Sequence, residues 1–104
     1  MISFQSPWQP LDVSSSERTA LEDELAREVG EGHQLYKHEV QAIARRLDND
    51  DVLFAVTAPR NCFAVVHLAW SGRQCDPGWP ATEIFTSLVQ FAEERMIRDT
   101  KEQA

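Results

Sequence analysis

The sequence is poor in the features that mark secreted, membrane-spanning and nucleic-acid-binding proteins. Only two cysteines, Cys62 and Cys75, occur in 104 residues. A small secreted domain usually carries four or more, so both are read as thiols of a cytoplasmic protein. No apolar run approaches the roughly 18 residues of a membrane span. The N-terminal stretch MISFQSPWQPL has neither a basic start nor a long apolar core, so no signal peptide is expected. The four glycines, Gly30, Gly32, Gly72 and Gly78, form no glycine-rich turn opening a helix, which argues against a phosphate-binding loop. Cations are scarce as well: 10 Lys and Arg against 17 Asp and Glu leave a net charge of -7. Such a surface repels nucleic acid and anionic membranes, whereas a basic protein would be attracted, most strongly at low salt.

The 42% hydrophobic and 26% charged residues are those of an ordinary globular chain rather than a disordered one. At this length one domain can bury roughly two-thirds of its unfolded surface without disulfides or a metal. Repeats and low-complexity tracts are absent, so residues 1–104 are read as a single α+β domain. Residues 1–13 form an extended lead-in, because Pro7 and Pro10 forbid a helix while Ile2, Phe4, Trp8 and Leu11 offer apolar anchors. A first helix follows, with Ser14 and Glu17 fitting a capping box, Leu21, Leu25 and Val29 forming its apolar stripe, and Gly30 closing it.

Residues 33–47 fit a helix through Tyr36, Val40, Ile43, Ala44 and Leu47, or a strand through Val40, Ala42 and Ala44. A strand over about 40–46 is preferred, because a two-stranded sheet alone is marginal. VLFAVTA (52–58) and CFAVVHLAW (62–70) read as an antiparallel hairpin around Pro59-Arg60-Asn61. The second of these is apolar on both faces, as befits a central strand. The C-terminal helix starts either at Glu83 under a Thr82 cap or later under a Ser87 cap, with 83–85 then extended. Its stripe is Ile84, Phe85, Leu88, Phe91, Ala92 and Met96, and 99–104 read as a frayed tail. The expected architecture is helix, three-stranded antiparallel meander, C-terminal helix. It is a single sheet layer with both helices on one face and the N-terminal arm near the other.

Chemistry-bearing residues are few. His67 is a weak ligand or general-base candidate, since histidine side chains titrate near neutrality. A core or half-buried histidine bonded to backbone or to a neighbouring helix is the plainer alternative. His33, His38, Cys62, His67, Cys75 and Asp48/Asp50/Asp51 show no metal-ligand spacing, and Cys62 and His67 fall on opposite strand faces. The DNDD segment reads as a turn, lacking the glycine and distal glutamate of a calcium loop. Ser71, in W-S-G, is not a nucleophile elbow. No catalytic residue, metal or cofactor is therefore assigned. The 71–80 loop offers tryptophans and an arginine, types enriched at binding hot spots. Its structural reading, placed ahead of binding, has Trp79 pinning the loop by burial. The candidate partner surface is Trp70, Ser71, Arg73, Trp79, Asp48, Asp50 and Asp51.

The string HLAWSG…DPGWPATEIF, with the earlier DNDDVLFAV, resembles a group of small bacterial proteins sharing an H-L-x-W-S…P-x-W-P signature. By size, acidity and α+β character the chain is also similar in style to immunity proteins that neutralise bacterial toxins. That likeness implies a non-enzymatic protein of the bacterial cytoplasm, monomeric or homodimeric, binding a basic toxin or nuclease. The alternatives are a small enzyme using His67 with Ser71 or a carboxylate, and a homo-oligomeric structural or regulatory domain.

Overall fold

Alternation along the two apolar segments of the hairpin governs the architecture. In a computed structural model, which describes residues 3–76 and 78–103, these segments are the middle of a five-stranded antiparallel meander. Its strands are β1 (Trp8–Pro10), β2 (Glu39–Arg46), β3 (Asp51–Ala58), β4 (Cys62–His67) and β5 (Thr82–Phe85), paired in chain order. Val52, Phe54 and Val56 of β3, with Cys62, Ala64 and Val66 of β4, bury one face of the sheet. Leu53 and Val65 bury the other. With both faces apolar, each needs its own cover.

Helix α1 (Ser16–Glu28) lays Leu21 and Leu25 on the first face, joined by Val29 and Leu35. The second face is covered by α2 (Leu88–Phe91), a π-helical segment (Ala92–Met96) and α3 (Ile97–Gln103) in succession. Phe91 and Met96, five residues apart, both enter that core beside Trp8 and Phe85. The i→i+5 geometry of the π segment is what stacks residues at this spacing on one side. Trp8 and Phe85 each meet Phe91 edge-on, at ring-centroid distances of 5.1 Å and 5.8 Å.

Several expectations are corrected. The three-strand meander with both helices on one face is replaced by five strands with helices on opposite faces. Part of the lead-in is the edge strand β1, and an edge tolerates its Pro10. Of the two starts open for the C-terminal helix the later one holds: residues 82–85 are a strand, and Ser87 caps α2 by accepting Gln90 N–H at 3.0 Å. Residues 97–103 stay helical where a frayed tail was expected from 99, and Asp99 is buried. The strand beginning at Cys62 ends at His67, so Trp70 does not share the Val66 face. Ile2, expected among the apolar anchors, lies outside the described residues.

β2 was ambiguous for a physical reason. The pairing steps from Ala42↔Phe54 to Ala44↔Leu53, so Ile43 is an extra, bulged residue. Ala42 therefore faces α1, while Ala44 and Arg46 face the C-terminal helices. Glu22 of α1 accepts the Ala42 N–H at 2.8 Å.

The cap of α1 is also displaced by one residue. Ser15, not Ser14, accepts the Arg18 N–H, at 3.2 Å, while Ser14 bonds Asp12 outside the helix. Ser15→Ala should therefore cost about 1 kcal/mol in urea unfolding, and Ser14→Ala only a few tenths.

Candidate functional site

The meander brings the β2–β3 turn and the β4–β5 loop to the same end of the sheet, where Leu68 N–H donates to Asp50 O at 3.2 Å. Most of the sequence-derived candidates gather here. Their roles divide into a held loop and a buried charge network.

The loop is gripped by α1. The Glu28 side chain is fully buried, and its two carboxylate oxygens accept the Ala69 and Trp70 N–H groups, each at 2.8 Å. The Glu28 carbonyl accepts Cys75 N–H at 2.9 Å, and Glu24, also buried, accepts Gly72 N–H at 3.1 Å. Gly30 lets the loop close on the helix end: a Cβ there would stand 2.1 Å from the Gln74 amide nitrogen. At the far end His33 supplies the anchor. Its Nδ1 accepts Leu35 N–H, which leaves Nε2–H to donate to Pro80 O at 3.0 Å.

Glu24 and Glu28, one turn apart on α1, also hydrogen-bond to each other. Burial, reinforced by Glu24, pushes the Glu28 carboxyl above its ordinary pKa. The bond from Glu28 draws Glu24 below it, and Arg27 adds to that.

The two tryptophans are not what pins this loop. Trp70 and Trp79 are 46% and 60% exposed. The reading of Trp79 as a buried anchor is corrected accordingly: backbone N–H groups satisfied by buried carboxylates do that work. Trp70 adopts φ +56, a left-handed backbone that costs a side-chain-bearing residue about 1–3 kcal/mol. Exposed Ser71, Arg73, Gln74, Asp76 and Trp79 rim a hollow of about 440 Å³, with Cys75 at its wall.

The second constellation lies on the opposite face. Register places Asp51 directly across from His67. His67 Nδ1 meets Asp51 Oδ1 at 2.7 Å, and the other Asp51 oxygen accepts a bond from Arg95 Nη2. Arg95 also donates from Nε to Asp99 at 2.9 Å and from Nη1 to Glu83 at 3.1 Å. Buried Asp99 further accepts Trp8 Nε1–H at 2.8 Å and pairs with Arg46 at 3.1 Å. Arg46 grips Asp48 through two bonds, at 2.8 and 2.7 Å. Burial opposes the charge of Arg95, yet Asp99 and Asp51 raise its pKa above the ordinary arginine value.

The candidate surface is therefore brought together only in part. Asp50, Trp70, Ser71, Arg73 and Trp79 are exposed at the sheet end, and Asp48 is exposed but clasped by Arg46. Asp51 is buried in the network and is removed from the contact surface. His67 is exposed and bonded to a carboxylate, not a core histidine held by backbone. Ser71 is not its partner, since the Ser71 hydroxyl donates to Arg73 O at 2.9 Å. Sequence reasoning missed the anchoring roles of Glu24, Glu28 and His33 and the network role of Arg95. A hairpin register around 59–61 would have paired Asp51 with His67, but no local pattern marks a helix carboxylate that reaches a loop 41 residues away.

Among the described residues no group of three or more His, Cys, Asp or Glu side chains could hold a metal ion. No helix there is long and apolar enough to cross a membrane. The chain matches no family model, no curated protein and no solved structure.

Proposed function

We propose that this is a non-enzymatic binding protein of the bacterial cytoplasm that docks a basic protein partner on the loop end of its sheet. One observation carries the reading: Trp70 and Trp79 stay exposed on a loop that Glu24, Glu28 and His33 hold rigidly from beneath. A loop ordered in advance loses little entropy on binding, and exposed tryptophans on it are ready anchors. The strained backbone at Trp70 is held by its N–H bond to Glu28 and presents a half-exposed indole. Exposed Asp50 and Asp76, within a chain of net charge -7, supply the attraction for a basic surface. Neutralisation of a basic toxin or nuclease is the form of this function that the likeness to immunity proteins in size and charge favours.

The test separates binding from folding. Trp70→Gly relieves the left-handed backbone and should leave stability unchanged or up to about 1 kcal/mol higher. Trp79→Ala, at an exposed site, should stay within about 0.5 kcal/mol of the parent. Both should weaken low-salt capture of a basic partner from the source cell roughly 30-fold or more, as expected for hot-spot residues. Capture unchanged in both variants, or insensitive to salt, counts against the reading.

The His67–Asp51 pair favours a second reading, general-base chemistry, because the carboxylate orients the ring as a catalytic base requires. Among the described residues, no side chain hydrogen-bonds His67 Nε2 to serve as its nucleophile. The binding reading is preferred on that ground.

A further inference from the structure

We infer that the hollow beside His67 receives a cationic side chain, an arginine or lysine, of the partner. This inference rests on the docking reading above and names the chemistry that reading leaves open. The hollow has about 200 Å³, the space of roughly six waters, between the ends of β3, β4 and β5 and the π-helical segment.

Its lining groups decide the ligand's charge. Asp51 accepts from Arg95 through one oxygen, and its other oxygen accepts from His67 Nδ1–H. In the neutral ring that leaves Nε2 as a lone pair, on a side chain that is half-exposed. Glu83 is equally half-exposed, and only one of its oxygens is held by Arg95. The lining donors are largely directed elsewhere: Arg95 directs one N–H of each of Nε, Nη1 and Nη2 at a carboxylate, and the Thr82 hydroxyl donates to Pro80 O at 2.9 Å. A visitor thus meets two open acceptors, in a wall where Asp51 and Glu83 outnumber Arg95. An anion would be repelled, and an N–H-bearing cation fits. A metal ion would need further protein ligands, which the described residues do not supply.

The chain joins this hollow to the partner surface. Ala81 and Thr82 of its wall follow Trp79 and Pro80 in the chain, so the hollow is tied to the loop by chain continuity while opening on the other face of the sheet.

The test uses the full chain and two small probes, N-acetyl-arginine amide and its uncharged isostere N-acetyl-citrulline amide. In NMR titrations the arginine probe should shift the His67 ring and the Thr82 and Glu83 amides saturably, binding at least fivefold better than citrulline. Glu83→Gln should cut that preference several-fold while the rest of the spectrum stays in place. Equal responses to the two probes, no saturable shift at His67, or an unchanged preference in Glu83→Gln overturns the inference. The two readings fail separately. Partner capture without an arginine response overturns the hollow alone. An arginine response in a protein that captures no basic partner supports the hollow and overturns the docking face.

Discussion

Asp99→Ala should destabilise the fold by about 3–5 kcal/mol, because it leaves buried cations without their counter-charge. Asp99 is 1% exposed and joins three elements: Trp8 of β1, Arg46 of β2 and Arg95 of the π-helical segment. Its loss orphans the Trp8 indole N–H and removes the carboxylate shared by Arg46 and Arg95. For a domain of this size the midpoint of thermal unfolding should fall by about 12 °C or more. Asp99→Asn keeps one acceptor for the indole and should fall between the two. If Asp99→Ala unfolds within 1 °C of the parent, these ion pairs are surface decoration despite their burial.

Glu28→Ala should cost about 2–4 kcal/mol, the sum of stranding the Ala69 and Trp70 N–H groups in a site that water reaches poorly. The effect should be local: amide exchange across 69–75 accelerates while β3 and β4 stay protected. Glu28→Gln replaces one acceptor oxygen with an NH₂ group facing an N–H donor, so it should not restore the loop.

The pH dependence has a defined sign. Glu28 has a raised pKa in the folded chain, so its contribution is full below the ordinary carboxylate range and is lost as pH rises through the raised value. Glu24 is lowered, so its contribution is full above that range and is lost as pH falls through the lowered value. Stability referable to the pair is therefore greatest between the two. Urea midpoints measured from acid to neutral pH should show the decline on the alkaline side in the parent and not in Glu28→Gln. A parallel decline in both assigns it to other groups.

Much of the middle of the chain was legible because one residue type repeats at one period. VLFAVTA and CFAVVHLAW alternate inside a hairpin, and the strand with two apolar faces became a sheet centre covered on both sides. The edges were not legible. β1 is three residues and β5 four, too short for any period to emerge, and each is a strand only because a longer neighbour offers unpaired backbone groups. In β2 the bulge at Ile43 reverses the alternation, so Ala42 and Ala44 face opposite cores and neither pattern fits cleanly.

The candidate site divides the same way. Composition identified the aromatic loop and the acidic turn, and topology placed both at one end of the sheet. What holds the loop was invisible, since Glu24 and Glu28 look like any acidic positions on a surface helix. Their burial follows from where the loop passes, not from neighbours in sequence. His67 was ranked as a core or half-buried histidine on the strength of its apolar flanks. Cross-strand register instead set Asp51 beside it, and the end of β4 left its outer nitrogen open.

By itself, then, the sequence determined the hairpin, both helices, the acidic charge and the loop that carries the tryptophans, because each is written in a local period or composition. Tertiary structure alone decided the five-strand count, the opposite placement of the helices, the Asp99–Arg95–Asp51 network and the exposure of Trp70 and Trp79. Those depend on which backbone and side-chain groups meet across 16 to 91 residues of chain, where burial makes each polar group find a partner.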